Sequence, residues 1–212
     1  AIIFGGQEPP NTISAKTESW NGSAWTEIND LNDSRTQHAG NGSSTNALAF
    51  GGEDPGGANK AVTESWNGTN WTEVNDLNTG RENLAGATYG TNTSALAFGG
   101  RSPNKDAETE LWNGTNWTEV ADLSTAREQL GGAGTATAAL AFGGEGPPIL
   151  TATEEFTGAG QAVGAWSTGG SLNTARANLA GSGTQTAALA FGGGVDPKAQ
   201  TEQYDGSSWT EV

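Results

Sequence analysis

A Gly-Gly pair recurs five times along this chain, and its spacing constrains the fold more than any other feature. Each pair follows a short apolar run, and successive pairs are 46, 48, 44 and 49 residues apart. The pairs are Gly5-Gly6, Gly51-Gly52, Gly99-Gly100, Gly143-Gly144 and Gly192-Gly193. A period of about 40–50 residues made of short strands is typical of propeller blades, which bury their faces against neighbouring blades. The sequence therefore predicts an all-β propeller of five blades, forming a single domain over residues 1–212.

The repeat units lie at about 1–34, 35–80, 81–126, 127–175 and 176–212. In the third unit, a small-residue segment over 81–94 predicts strand a, and the apolar run 95–98 predicts strand b. Alternating polar and apolar residues over 109–112 predict strand c, and 117–120 returns as strand d. The intervening Asn113-Gly114 is a strong hairpin signal. The first unit starts at strand b, so we expect the first blade to lack its strand a.

Aromatic residues mark the two outer strands of every unit. Strand c ends in Trp20, Trp66, Trp112, Phe156 and Tyr204, and strand d opens with Trp25, Trp71, Trp117, Trp166 and Trp209. We expect each strand-d Trp to be structural and to pack between blades. The strand-b runs are apolar on both faces, which predicts burial on both sides.

This order of residues resembles the kelch repeat: the Gly-Gly pair, an aromatic after Thr-Glu in strand c, a Trp in strand d, and an Arg that opens the next unit. The resemblance covers the whole chain and implies four-stranded blades. The phrases Trp-Asn-Gly-Thr-Asn-Trp-Thr-Glu-Val and Ala-Leu-Ala-Phe-Gly-Gly look like those of kelch-type proteins encoded by marine cyanophages. That likeness implies a viral protein at the virion surface or outside the cell.

Composition excludes several classes of partner. Nine Lys and Arg stand against 24 Asp and Glu, giving a net charge of −15, so nucleic acid and anionic membranes are disfavoured. No apolar run approaches 18 residues, which argues against membrane insertion. Cysteine is absent and there is one histidine, so we expect no cofactor and no metal.

Two sets of residues could be either binding sites or parts of the scaffold. Arg35, Arg81, Arg127 and Arg176 recur once per unit and could form an anion-binding ring, but each unit also carries a strand-c Glu. Because a residue repeated in every blade usually serves the blade, we interpret Arg and Glu as partners or backbone anchors between blades. His38 stands where other units have Leu84, Leu130 and Leu179, and we assign it a structural or incidental role rather than that of a ligand or base.

The loops between strands b and c differ most from unit to unit, which suits either a binding face or simple tolerance of change. They run over 7–16, 53–62, 101–108, 145–152 and 194–200. Their charged residues are the candidate binding set: Glu8, Glu53, Asp54, Arg101, Lys105, Glu145, Asp196 and Lys198. No spaced series of Asp and Asn resembles a calcium loop. No asymmetric carboxylate pair stands out as catalytic.

These observations favour a non-enzymatic structural or adhesive module, and the resemblance to cyanophage proteins implies that it is tail-associated or on the surface of a phage particle. Its loops would face a host-surface glycan or protein, or a neighbouring virion protein. The alternatives are a glycan-binding, lectin-like propeller and, less favoured, a glycosidase, which needs carboxylates about 5–10 Å apart. Because the first blade lacks strand a, we also expect that the intact protein continues past Val212 or that another chain donates a strand, with a toroid of six or seven blades as the alternative.

Overall fold

The computed structural model describes residues 1–158, 163–194 and 199–212, and this part of the chain contains strands and turns but no helix. The first ten strands are β1 (Ile2–Phe4), β2 (Gln7–Glu8), β3 (Thr12–Ile13), β4 (Thr17–Trp20), β5 (Trp25–Ile28), β6 (Ala39–Gly42), β7 (Ala47–Phe50), β8 (Thr63–Trp66), β9 (Trp71–Val74) and β10 (Ala85–Gly86). The others are β11 (Ala95–Phe98), β12 (Thr109–Trp112), β13 (Trp117–Glu119), β14 (Gly131–Thr135), β15 (Ala138–Phe142), β16 (Thr153–Thr157), β17 (Ala165–Thr168), β18 (Ala180–Thr184), β19 (Ala187–Phe191), β20 (Thr201–Tyr204) and β21 (Trp209–Glu211).

Five antiparallel sheets form the blades of a β-propeller, which confirms the predicted fold. Four sheets have four strands in chain order, β6 to β9, β10 to β13, β14 to β17 and β18 to β21. Each runs a-b-c-d, and the a strands β6, β10, β14 and β18 contact one another in succession on the inner side. The first sheet has three strands, β1-β4-β5, so it lacks strand a as predicted.

Two local features differ from the sequence-based expectation. Strand a of the third blade was predicted over 81–94, but β10 spans only two residues. The chain leaves the ladder early because the amide of Tyr89 donates to the carbonyl of Gly134 in the next blade, at 2.7 Å. The first b–c loop also forms a small hairpin, β2-β3, that no periodicity indicated.

The contacts between blades repeat with little variation. The strand-b Phe of one blade meets the strand-d Trp of the next, with ring centroids 4.8 Å apart for Phe4 and Trp71 and 5.0 Å for Phe50 and Trp117. The same indole donates to a strand-c Thr of the preceding blade, as Trp117 Nε1 does to Thr63 Oγ1 at 3.0 Å. The equivalent bonds run from Trp71 to Thr17, Trp166 to Thr109 and Trp209 to Thr153. Each Trp thus joins two blades by both packing and a hydrogen bond.

The first and fifth blades depart from this pattern and correct two expectations. Trp25 is 43% exposed rather than packed between blades, and β19 is not buried on both sides because Phe191 and Leu189 are each 40% exposed. The reason is that a strand-d Trp needs a preceding strand-b Phe, and among the described residues no aromatic contact joins Trp25 to Phe191. Strands β7, β11 and β15, which have a blade on each side, are buried as expected.

The fourth blade keeps its aromatic pair despite a longer c–d turn. Its two aromatics are ten residues apart in sequence, against five in the other units. Even so, Phe156 opposes Trp166 in the ladder, and their rings lie 5.2 Å apart, close to the 5.4 Å between Trp112 and Trp117.

Candidate functional site

The recurring arginines connect each blade to the next. The carbonyl of Arg35 accepts a bond from Gly6 N of the first blade at 2.8 Å, while its guanidinium donates to Val62 O of the second blade at 2.5 Å. The second Gly of the next three pairs donates to the carbonyl of the following Arg in the same way, as Gly52 does to Arg81. Gly51 and Gly52 have φ of 70° and 105°, a backbone conformation that favours glycine and so explains the doublet.

Each Arg side chain is buried and ion-paired with the strand-c Glu of the blade it opens. The pairs are Arg35 with Glu64, Arg81 with Glu110, Arg127 with Glu154, and Arg176 with Glu202. Burial lowers the pKa of Arg35 and Arg127, and the partner carboxylates oppose that shift. All four guanidinium groups are inaccessible to solvent, so they do not offer a ring of free cations to an anionic ligand.

A backbone chain runs around the inner side of the blades just beyond these arginines. The amide of Asn83 donates to Gln37 O, that of Gln129 to Asn83 O, and that of Asn178 to Gln129 O, each at 2.9 Å. These four residues have φ of 54° to 56°, in the left-handed region. Three of them, Gln37, Asn83 and Gln129, bring their amide side chains to a common face.

That face holds a polar basin of about 500 Å³ formed by the b–c loops together with the segments that follow the arginines. Its lining is Gln37, Glu53, Gly57, Glu82, Asn83, Arg101, Glu128, Gln129 and Glu145. A second pocket of about 490 Å³ adjoins it and shares Gly57, Glu82 and Arg101. We call these two connected pockets the loop-face basin.

Glu82 is a basin acid whose pKa is raised from its ordinary value. Burial raises its pKa first, and the neighbouring carboxyl of Glu53, within hydrogen-bonding reach, raises it further. Arg101, with Nε 3.8 Å from Glu82 Oε1, opposes the shift. Nearby, Asn83 Nδ2 donates to Glu128 Oε2 at 3.3 Å. Four carboxyl groups against one guanidinium give the basin a negative balance suited to cationic or hydroxyl-rich groups.

The candidate loop residues divide between the basin and its surroundings. Glu53, Arg101 and Glu145 line it, and Lys105 Nζ reaches Glu145 Oε1 at 2.9 Å from the neighbouring loop. Asp54 lies outside the lining and accepts amide bonds from Gly56 and Ala58 within its own loop, which lower its pKa. Glu8 pairs with Lys16 in the first loop. Asp196 and Lys198 lie outside the described residues.

Sequence reasoning missed the part of the basin that comes from the strand-a side, namely Gln37, Glu82, Asn83, Glu128 and Gln129. A usable signal existed in the residue after each recurring Arg, which is Thr36, Glu82, Glu128 or Ala177. Unlike the Arg, this position does not repeat, and it bridges to the residue after the Gly pair, as Glu82 does to Arg101.

His38 contributes no free imidazole to the basin. Burial and the charge of Arg35 lower its pKa to about 4, so the ring is neutral at pH 7. Its ring lies 5.6 Å from that of Phe4, and within the described residues Nδ1 has no hydrogen-bond partner.

Two further observations bear on the chemistry of the basin. The carboxyls of Glu53 and Glu82 lie within hydrogen-bonding reach of each other, which is closer than the about 5–10 Å that separates the two carboxyls of a glycosidase. In residues 1–158, 163–194 and 199–212, no group of three or more His, Cys, Asp or Glu is arranged to hold a metal ion. The same residues include no helix of the length and apolarity that crossing a bilayer requires.

The role of the basin rests on its own geometry, because comparisons with known proteins found no match. No protein-family model matches the chain, and no curated protein matches its sequence.

Proposed function

We propose that this protein is a non-enzymatic adhesive or structural module that binds its target through the loop-face basin. We further propose that it belongs to a kelch-like group of phage proteins and sits on the surface or tail of the particle. There the basin would engage a molecule of the host surface or a neighbouring virion protein.

The observation that carries the proposal is a change of charge at equivalent positions on a repeated backbone. Glu53, Arg101 and Glu145 each follow a Gly pair and each bridge to the segment after an Arg. Their backbone environment is the same, yet one is cationic and two are anionic. Residues with a structural role in the blade recur in every blade, as the buried Arg–Glu pairs do. A recognition surface, in contrast, requires different groups at different points.

The lining predicts the chemistry of the target. Carboxylates and side-chain amides accept hydrogen bonds from ammonium, guanidinium and hydroxyl groups, and the net charge of −15 repels polyanions. A basic protein loop therefore fits the basin better than an acidic one. Arg101 supplies one cation beside Glu82, so a bound target must place an acceptor group at that point of the basin and is held in one orientation.

The direct test measures binding of wild type and basin variants to intact host cells and to purified particles. Arg101→Gln and the double change Glu53→Gln with Glu145→Gln alter basin charge, while Glu73→Gln on the outer strand β9 is the control. We expect both basin variants to lose at least about tenfold in affinity and the control to bind as wild type does. Equal binding by all four proteins would reject the basin as the binding surface.

The location is tested separately by mass spectrometry of purified particles. Detection of the chain in particles supports the virion assignment. If the basin variants lose binding but particles contain none of this chain, the binding role stands and the virion location is wrong.

A second candidate is a lectin-like propeller, favoured by the side-chain amides at the centre of the basin. Gln129 Oε1 accepts from Asn178 Nδ2 at 2.9 Å, which leaves its own NH₂ group to donate to a sugar hydroxyl. A glycan array separates the candidates. A defined glycan bound by wild type and lost in Gln129→Ala favours the lectin, and no glycan signal favours a protein target.

A further inference from the structure

The face opposite the loop-face basin carries the a–b and c–d turns, and a pocket of about 310 Å³ opens there between the first and second blades. We call it the turn-face pocket. Its lining includes Ser19 and Ile28 of the first blade together with Ser44, Trp66 and Thr69 of the second. The first-blade wall comes from β4 and β5, so the pocket lies toward the outer side of the blades.

The same place at two other junctions between blades is filled by an amide side chain of the protein itself. Between the second and third blades, Asn92 Nδ2 donates to Ser65 Oγ at 3.1 Å and to Trp66 O at 3.3 Å. Between the fourth and fifth blades, Gln185 Nε2 donates to Phe156 O at 2.7 Å. In both cases an amide from the a–b turn bonds the carbonyl of the strand-c aromatic residue in the preceding blade.

The first junction has the same turn but lacks this amide. Trp66 Nε1 donates to Ser44 O at 3.0 Å, as Trp112 Nε1 does to Asn92 O at 2.9 Å, so both a–b turns are held at the same place. Between the third and fourth blades the turn residue is Ala136, which is buried in an apolar cluster. Serine is shorter than asparagine by the whole amide group, and this one difference of side chain leaves the pocket open.

The polar groups that the amide would bond are therefore left for another molecule. Ser19 matches Ser65 in the ladder, since each lies opposite a strand-d Thr. In the part of the chain that the structure describes, no side chain donates to Ser19 Oγ or to Trp20 O. Trp20 O accepts the Ala1 backbone nitrogen at 3.2 Å, which leaves its second lone pair. The neighbouring junctions indicate that an amide N–H fits this point.

The rest of the lining narrows the class of ligand. Ile28 and Trp66 offer apolar surface, while Thr69 and Asn29 are exposed and carry the hydroxyl and amide groups that bond sugar hydroxyls. The volume lies at the low end of the range of about 300–1,000 Å³ for small-molecule sites. An acetamido group combines an amide N–H with a methyl group, so it matches both the polar and the apolar part of the pocket.

We infer that the turn-face pocket is a binding site for the acetamido group of an N-acetylated amino sugar. The N–H of the ligand donates to Trp20 O, the Ser19 hydroxyl donates to the acetamido oxygen, and the methyl packs on Ile28 and Trp66. This site is separate from the loop-face basin, so the inference goes beyond the proposed function and does not depend on it.

The test titrates the whole protein with methyl N-acetyl-β-glucosaminide and follows the indole N–H signals of Trp66 and Trp112 by proton–nitrogen correlation spectra. We expect a saturable shift of the Trp66 signal in wild type and no shift of the Trp112 signal. Methyl β-glucoside, which lacks the acetamido group, should bind at least about tenfold more weakly. The basin variant Gln129→Ala should bind the N-acetylated sugar as wild type does.

Two exchanges between the junctions give matched variants. Ser44→Asn supplies the missing amide and should abolish the shift of the Trp66 signal. Asn92→Ser removes the amide from the next junction, so it should open a second site and make the Trp112 signal shift as well. Circular dichroism checks that both variants keep the native fold.

Four outcomes would overturn the inference. One is the absence of a saturable Trp66 shift in wild type, and another is a shift that persists in natively folded Ser44→Asn. A third is loss of the shift in Gln129→Ala, which would place the sugar in the basin. The fourth is binding of propionamide, which carries a free carboxamide like that of asparagine, as tightly as the sugar, since the pocket would then recognise an amide alone.

Discussion

Trp117 and Trp25 occupy equivalent positions in the repeat, but Trp117 is buried and Trp25 is exposed. Replacing each by Ala therefore measures how much one contact between blades contributes to the free energy of unfolding. Trp117 is 5% exposed, packs 5.0 Å from Phe50 and bonds Thr63, whereas Trp25 is 43% exposed. A buried indole removes about 150–250 Å² from water, worth roughly 4–6 kcal/mol at about 25 cal/mol per Å². That is an upper bound because the unfolded chain is partly collapsed.

We expect Trp117→Ala to lower the free energy of unfolding by about 3–5 kcal/mol, the range for a buried aromatic. For Trp25→Ala, roughly half the area is already in water and solvent fills the space left, so a loss of about 1.5–2.5 kcal/mol, half that of Trp117→Ala, follows. Urea unfolding followed by far-ultraviolet circular dichroism measures both, and the variants are matched because each loses one Trp at the same place in the repeat.

Equal losses would refute this reasoning. If both were large, Trp25 would be covered in solution by a blade that the structure does not place there. If both were below about 1 kcal/mol, the indoles would not hold the blades together, and a surface role in glycan stacking would become the better account.

Three further outcomes are expected. His38→Leu should remove a pH dependence of thermal unfolding. Because the pKa of His38 in the folded protein is lowered from 6.5 to about 4, wild type keeps its full stability above about pH 6.5 and loses at most about 3 kcal/mol as the pH falls through 4. A parallel loss of stability in the variant would contradict this explanation. Glu82→Gln should raise the melting temperature at pH 7, because the raised pKa of Glu82 lowers the stability of wild type as the pH rises above 4.5. The gain in melting temperature should vanish below pH 4.5, and a gain of the same size at pH 7 and below pH 4.5 would implicate another cause. A chelator should leave the melting temperature unchanged, and a clear drop would mean that the acidic loops bind a cation.

The strands b, c and d were predictable because each carries a strong local signal. The Ala-Leu-Ala-Phe run ends where the Gly pair forces a left-handed backbone, and β11 and β12 begin and end where the pattern predicted. Strand a lacks such a signal. Its small residues fit the crowded inner side of the blades, and contacts with other blades, such as that of Tyr89 with Gly134, decide where the ladder stops.

Only one side of the loop-face basin could be predicted from the sequence. Variable loops pointed to Glu53, Arg101 and Glu145, but the opposing wall comes from residues 16 to 19 positions earlier in the chain, which only the sheet topology brings close. The exposure of Trp25 could not be predicted for a related reason. The sequence around Trp25 matches that around Trp71, so their difference in exposure comes from the neighbouring blade and not from the residue itself.

The long c–d turn of the fourth blade has a consequence for engineering and for divergence of the repeat. Five extra positions between Phe156 and Trp166 leave the aromatic stacking within a few tenths of an ångström of that in the other blades. The other turns are closed locally, as Asn113 Oδ1 accepts the amides of Thr115 and Asn116. Peptide epitopes can therefore be grafted at these tips, at little entropic cost, while the chemistry of the opposite face is left untouched.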